Sequence, residues 1–142
     1  MTNTKNMTDS DWKKKLTAEE FHVLREKGTE NRGGKYSNFN KKGMYVCGAC
    51  GHELFLSSAK FELNKSDPNY GWPSFDQPAN LENVELIKDD RFGMNRTEVI
   101  CRNCKSHLGH VFDDGPKETT GRHYCINSCA LNFKSENDNE NA

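Results

Sequence analysis

Apolar and polar residues along this chain follow two different periods. A helical spacing is confined to the N-terminal part: residues 17–20 match a capping box, Phe21, Val23 and Leu24 form a narrow apolar stripe, and Gly28 suits the helix end. Beyond Gly28 the helical period disappears and short alternating apolar runs take over. We predict strands at 43–47, 53–56, 84–88, 96–101, 109–112 and 123–133.

Turn-forming residues separate these runs, at 31–34, 66–69 and 113–116. Many short strands joined by glycine-rich turns are typical of an antiparallel β domain, here with a helical N-terminus. Both ends of the chain are polar. We therefore expect a flexible tail at 1–16, a single domain at 17–134 and a disordered tail at 135–142.

Charge and hydropathy exclude several classes of protein. The 142 residues carry a formal net charge of −1, whereas nucleic-acid binders usually show a basic excess. No apolar run approaches the roughly 18 residues that a transmembrane helix needs, and no apolar signal segment follows the start. We expect a cytoplasmic monomer that has neither a nucleic-acid partner nor a membrane partner.

Four of the six cysteines form two C-x-x-C pairs, Cys47 with Cys50 and Cys101 with Cys104. A two-residue spacing within a tight turn lets both sulfurs of a pair converge on one ion. Four thiolates complete a closed tetrahedral shell, which is typical of structural rather than catalytic zinc. We predict one structural zinc. The alternative is two unrelated redox-active or buried pairs.

The two remaining cysteines are Cys125 and Cys129. On a strand, His123, Cys125 and Asn127 share one face, so a thiol lies between a possible cation and an amide. A nearby positive charge favours the thiolate, which is the nucleophilic form. Taken alone, Cys125 also fits a buried, inert cysteine.

Two further clusters favour a catalytic site over an inert cysteine. His107 and His110 are separated by Leu108-Gly109, and both can address one cavity as proton donors, since the zinc shell is already filled. Trp72, held between Gly71 and Pro73, can form an apolar wall for a methyl or thioether group. The alternatives are surface histidines and a core tryptophan.

Together these segments resemble the methionine-R-sulfoxide reductase B family. The resemblance rests on G-W-P-S-F at 71–75, H-L-G-H-V-F-x-D-G-P at 107–116, H-Y-C-I-N-S at 123–128 and the two interleaved C-x-x-C pairs. It extends from about residue 17 to 133. It implies two antiparallel β-sheets in a β-tent-like arrangement, N-terminal helices and a structural zinc.

The resemblance also implies a role for each site residue. Cys125 would attack the sulfur of the R epimer of methionine sulfoxide, free or within a protein, and would become a sulfenic acid that a thioredoxin-like thiol reduces. His107 and His110 would protonate the departing oxygen, which leaves as water. Asn127 would orient the sulfoxide, Trp72 would receive the ε-methyl group, and Asp114 would steady this network.

The chain departs from the family pattern at two positions. His123 occupies the place of the usual arginine, and strand alternation turns Arg122 away from Cys125, so His123 is the candidate activating cation. Tyr70 replaces a resolving cysteine found in many members. Cys129, placed on the same strand as Cys125, would lie about 13 Å from it, beyond the reach of a disulfide. Direct reduction of Cys125 by an external thiol is expected.

Two other functions fit part of the pattern. A non-enzymatic zinc-binding domain of the β-tent kind, which holds a ligand in an aromatic pocket, explains the cysteine pairs and Trp72 but gives His107, His110 and Asn127 no role. A zinc-ribbon nucleic-acid binder conflicts with the balanced charge.

Overall fold

Helices occupy the N-terminal part of the chain and strands the rest, as the sequence predicts. The computed structural model describes residues 8–37, 39–90, 93 and 95–135. The elements are α1 (Asp9–Lys15), α2 (Ala18–Glu26), β1 (Gly43–Cys47), β2 (Glu53–Leu56), β3 (Ser74–Phe75), β4 (Val84–Asp89), β5 (Arg96–Cys101), β6 (His107–Phe112), β7 (His123–Ile126) and β8 (Leu131–Ser135). The predicted class, mainly β with N-terminal helices, is confirmed. Neither helix has the length and apolar character that crossing a bilayer requires, in the part of the chain that the structure describes.

Helix α2 begins where the capping box predicts. The Thr17 side chain accepts a hydrogen bond from the Glu20 backbone N–H, and the Glu20 carboxylate accepts one from the Thr17 N–H. The helix ends one residue earlier than expected, because Lys27 adopts the left-handed conformation (φ 61°). A Cβ at Gly28 would meet the ring of His22, an exposed side chain that would have to turn aside.

The predicted N-terminal tail is wrong in part, because residues 9–15 of it form α1. Thr8 caps this helix through a second capping box with Asp11, and Trp12 is fully buried. The guanidinium of Arg25 lies 5.2 Å from the centre of the Trp12 ring. One large indole against α2 thus anchors a segment that is otherwise polar. Residues 1–7, and 136–142 of the predicted C-terminal tail, lie outside the described residues.

The strands form two antiparallel sheets, as expected. A small sheet has the order β2-β1-β8, and a large sheet has the order β3-β7-β6-β5-β4. The sheets meet through aromatic rings: Phe55 of the small sheet stacks on Phe75 of the large sheet with ring centres 4.4 Å apart, and Tyr45 meets Phe75 edge-on at 5.1 Å. These rings are fully buried and form the centre of the core.

The predicted single strand at 123–133 is wrong, because the chain breaks after Ile126. Strand β7 belongs to the large sheet, a 3₁₀ turn covers Ser128–Ala130, and β8 belongs to the small sheet. The break is hydrogen-bonded: Asn127 N–H donates to the Leu108 carbonyl at 3.0 Å. Alternation therefore holds only up to Asn127 and does not place Cys129 on the same face as Cys125.

Candidate active site and metal centre

The four cysteines of the two C-x-x-C pairs meet at one point, as predicted. Their sulfurs all lie within 4.8 Å of one another. Cys47 Sγ is 3.7 Å from Cys104 Sγ, and Cys50 Sγ is 3.6 Å from Cys101 Sγ. A tetrahedron with zinc–sulfur bonds of about 2.3 Å has edges of about 3.8 Å, so the spacing fits a four-thiolate zinc site.

The two turns that carry these cysteines have the same backbone construction. Gly51 follows Cys50 with φ 81°, and Lys105 follows Cys104 with φ 65°. In each turn this left-handed residue donates its N–H to the carbonyl of the first cysteine at 2.8 Å. One turn follows β1 of the small sheet and the other follows β5 of the large sheet, so an ion bound here ties the two sheets together.

A second group of predicted residues surrounds a separate cavity of about 180 Å³ on the large sheet. It is lined by Thr29, Asn69, Trp72, Arg96, Gly109, His110, Phe112, Cys125, Ile126 and Asn127. The cavity thus brings together four of the predicted site residues, one thiol, one imidazole, one amide and one indole. Its lining does not include His107, Asp114 or His123.

Cys125 lies on β7 directly opposite His110 on β6. Residues that face each other in an antiparallel pair have their Cβ atoms about 5 Å apart on the same face, so the thiol and the imidazole are neighbours. Burial, together with the charges of Asp67, Asp114 and Glu30, raises the pKa of Cys125 to about 12. The resting site therefore holds a protonated thiol at neutral pH.

His110 is buried and paired with a carboxylate. Its Nε2 lies 2.8 Å from Oδ2 of Asp89, which also lies 3.5 Å from the guanidinium of Arg96. Desolvation lowers the pKa of His110, although the hydrogen bond to Asp89 opposes that shift. The ring is neutral at pH 7, and when Nε2–H donates to Asp89, Nδ1 is available as a proton acceptor.

His107 lies behind His110 rather than on the cavity. The β5–β6 register shifts between Val99 and Ile100, which leaves Leu108 as an extra residue on β6. This bulge brings His107 and His110 to the same side although they are three residues apart, with ring centres 5.4 Å apart. Nδ1 of His107 lies 2.7 Å from Oε2 of Glu98, and both side chains are almost fully buried.

Trp72 and Asn127 line the cavity, and both are hydrogen-bonded to Glu30 in the loop after α2. Trp72 Nε1 donates to the carbonyl of Glu30 at 3.0 Å, and the backbone N–H of Glu30 donates to Oδ1 of Asn127 at 3.0 Å. The guanidinium of Arg32 lies 4.9 Å from the centre of the Trp72 ring. The indole is therefore held at its edge by a hydrogen bond and on one face by a cation.

His123 and Asp114 form a pair outside the cavity lining. His123 is fully buried, with Nε2 2.8 Å from Ser74 Oγ and Nδ1 3.2 Å from Asp114 Oδ1. Its ring contacts that of Phe112, which does line the cavity, with centres 6.1 Å apart. His123 could thus activate Cys125 only through side chains that lie between them, such as Phe112. The activating role of His123 remains a prediction.

Tyr70 and Cys129 lie beside two other depressions. Tyr70 lines a cavity of about 140 Å³ that shares Trp72 with the first, whereas Cys129 lines a surface pocket together with Glu30 and Gly34. Cys129 is only partly buried rather than a core residue, and its backbone N–H donates to Glu30. Burial and the charge of Glu30 raise the pKa of the Cys129 thiol.

Sequence reasoning missed the acids that hold the site, namely Glu30, Asp89 and Glu98. Glu98 follows Arg96 and Thr97 in the polar half of β5 and reads as an exposed strand position, yet it is almost fully buried. Glu30 lies in a polar loop, and its partners Asn127 and Ser128 are 97 and 98 residues away along the chain.

Comparison with known proteins identifies the family of the chain. The model of the SelR domain matches residues 16–135. A protein of Methanosarcina barkeri named peptide methionine sulfoxide reductase MsrB is 51% identical over 133 residues, which cover 92% of this chain and 89% of that protein. Proteins of the same name from Leptospira interrogans and Acinetobacter baumannii are 50% and 45% identical, covering 92% and 95% of this chain and 96% and 94% of their own lengths.

These matches define the chain as an oxidoreductase. The chain belongs to the SelR domain family.

Proposed function

We propose that this protein reduces the R epimer of methionine sulfoxide, free or within proteins, to methionine, and so repairs oxidative damage. The observation that carries the proposal is the single cavity where Cys125, His110, Trp72 and Asn127 meet. The names of its relatives supply the substrate class. The choice of epimer and the thiol mechanism come from the family resemblance and from the chemistry of this cavity.

The proposed first step begins with a protonated thiol. Neutral His110 accepts the proton of Cys125 as Sγ forms a bond to the sulfoxide sulfur and the S–O bond breaks. The oxygen takes this proton and one from solvent and leaves as water. His110 thus acts first as a base and then as an acid, which extends the purely donating role expected from sequence. His107, held by Glu98, is proposed to position the His110 ring.

The second step releases the product. Water attacks Sγ of Cys125, the sulfur–sulfur bond breaks, methionine leaves and one proton returns to solvent. The sulfoxide sulfur gains two electrons and Sγ loses two, which leaves a sulfenic acid on Cys125. Trp72 is proposed to receive the ε-methyl group, Asn127 to donate a hydrogen bond to the oxygen, and Asp114 with His123 to support the cavity wall.

The sulfenic acid must then be reduced. We propose direct attack by an external thiol such as a thioredoxin-like protein, because Tyr70 replaces the resolving cysteine and because Cys129 lines a different depression from Cys125. Two thiols beside separate cavities are poorly placed to form a disulfide without backbone movement.

The metal is proposed to be a single structural zinc held by the four cysteines, since four thiolates leave no open coordination position. When bound, it supplies folding energy and no chemistry at the cavity. We also propose that residues 17–134 form the domain core and that the protein is a cytoplasmic monomer. The core is extended at its N-terminus by α1.

The decisive test is stereospecific turnover. R- and S-methionine sulfoxide, free and within a short peptide, are supplied with dithiothreitol and then with thioredoxin. We expect turnover of the R epimer alone, and its loss in Cys125→Ser, because a hydroxyl is a far weaker nucleophile. Equal use of both epimers would contradict the proposed specificity, and full activity of Cys125→Ser would contradict the mechanism.

A further inference from the structure

The buried carboxylate of Glu30 joins the loop after α2 to the turn after β7. Glu30 is 8% exposed. Its Oε2 accepts the N–H of Ser128 at 2.6 Å, and its Oε1 accepts the N–H of Cys129 at 2.8 Å. These two amides open the 3₁₀ turn that starts directly after Asn127, and amides at such a position have no partner within the turn. A side chain from a distant part of the sequence therefore caps this turn.

The peptide groups of the same residue contact two walls of the Cys125 cavity. The N–H of Glu30 donates to Asn127 Oδ1, and its carbonyl accepts from Trp72 Nε1, both at 3.0 Å. The carboxylate fixes the loop, and the loop fixes the indole and the amide. A shift of the Glu30 backbone would therefore move both cavity groups together.

These contacts also decide which way round the Asn127 amide lies. Its Oδ1 accepts from Glu30, and its Nδ2 donates to the carbonyl of Leu108 at 3.0 Å. The reversed amide would set its NH₂ group against an N–H and its oxygen against a carbonyl, so only one orientation is compatible with both neighbours. The remaining hydrogen of Nδ2 is left to donate, and a sulfoxide oxygen is an acceptor.

We propose that Glu30 is a positioning residue that sets the relative placement of Trp72 and Asn127 around Cys125, and thereby the choice between sulfoxide epimers. This inference rests on the proposed function. The two epimers have opposite configurations at sulfur. With the sulfur facing Cys125, only one of them can place its oxygen at Asn127 and its methyl group at Trp72 at the same time. Discrimination therefore requires an oxygen site and a methyl site at a fixed separation, and both are hydrogen-bonded to Glu30.

The test replaces Glu30 with glutamine, which has the same shape but turns an NH₂ group toward one of the two backbone N–H donors. We expect kcat for the R epimer to fall by about 10- to 100-fold, as for a misplacement approaching 1 Å, and the ratio of R to S turnover to fall as well. Glu20→Gln is the matched control. The Glu20 carboxylate accepts the Thr17 N–H at 2.8 Å, away from the Cys125 cavity. Glutamine serves a capping box as well as glutamate does, so Glu20→Gln should leave stability, kcat and the epimer ratio nearly unchanged.

A readout independent of turnover is the indole N–H resonance in ¹H–¹⁵N spectra. In Glu30→Gln the Trp72 resonance should move while that of Trp12 stays in place, and in Glu20→Gln the Trp72 resonance should stay in place. Combining Glu30→Gln with Trp72→Phe should cost less than the product of the two single effects on kcat, because phenylalanine has already lost the bond to the Glu30 carbonyl. If Glu30→Gln does not fold, Glu30→Asp, which keeps the charge with a shorter reach, is measured in the same way.

An unmoved Trp72 resonance, or a destabilised variant with parental kcat and epimer ratio, would overturn the proposal. So would multiplicative effects of the two substitutions. If the parent protein reduced neither epimer, the proposed function would fail. The Trp72 resonance would still decide whether Glu30 holds the indole.

Discussion

Gly109 offers a direct test of how closely β6 and β7 must approach for catalysis. It lies opposite Ile126 and next to the His110–Cys125 pair. A Cβ at this position would overlap the carbonyl oxygen of Cys125 and lie 3.0 Å from both the carbonyl carbon of Cys125 and Cα of Ile126. Optimal carbon–carbon contacts are about 3.5 to 4.0 Å, so Gly109→Ala must separate the two strands by about 0.5 Å or more.

The expected effects concern both stability and rate. Overpacking of this kind costs about 1 to 3 kcal/mol of unfolding free energy, which a domain with about 5 to 15 kcal/mol tolerates. Because the shift falls between the thiol and the imidazole, kcat should drop by about 10- to 100-fold. Urea unfolding gives the stability, and initial rates with the R epimer and dithiothreitol at 25 °C give kcat.

Gly43 provides a matched control in the small sheet. A Cβ there would overlap the carbonyl oxygen of Lys134 on β8 and lie 3.0 Å from its carbonyl carbon, the same backbone collision as at Gly109, and it would also lie 2.7 Å from the ring of Phe133. Gly43→Ala should lose stability but keep its kcat. Equal losses of kcat in the two alanine variants, or parental kcat in Gly109→Ala, would refute the reasoning.

Four further predictions concern the titrating groups and the other cysteines. Burial lowers the pKa of His110, so kcat/KM of the parent protein should decline only as the pH falls below about 6.5. His110→Asn should lower the rate by about 10²-fold and remove that decline, and a pH profile unchanged by the substitution would exclude the proton-transfer role. With a pKa of about 12, Cys125 in the free protein should react slowly with iodoacetamide at pH 7 and about tenfold faster per pH unit above it, whereas a plateau near pH 8 would contradict this. Cys50→Ser should lose the metal and unfold, as followed by metal analysis and circular dichroism; a folded, metal-free variant would argue against a structural ion. Cys129→Ser should keep its thioredoxin-supported turnover, and a Cys125–Cys129 disulfide in mass spectra after one turnover would show the opposite.

The relative placement of Cys125 and Cys129 shows where strand alternation stops predicting which face a side chain occupies. Strand periodicity assumes an unbroken ladder, and under that assumption the two thiols lie on one face. The chain instead leaves the large sheet after Ile126 and enters the small sheet at Leu131. Direct reduction by an external thiol stays a prediction, which now depends on the two thiols lining separate depressions.

Features that depend on neighbouring residues could be read from the sequence alone. The capping box of α2 joins Thr17 and Glu20, which are three residues apart, and each C-x-x-C pair closes within a single turn. Strand alternation has a period of two, so β1, β2 and β5 were predicted with their observed bounds. Short-range hydrogen bonds and side-chain spacing determine these features, and no tertiary contact is needed to predict them.

The tertiary structure decided which residues meet at the cavity and what holds them there. A one-residue bulge places His107 behind His110, and a single buried indole anchors α1 to the rest of the domain. Glu30 reaches the turn after Asn127 across almost a hundred residues. Contacts at such separations depend on how the two sheets pack, and periodicity along one strand carries no information about that packing.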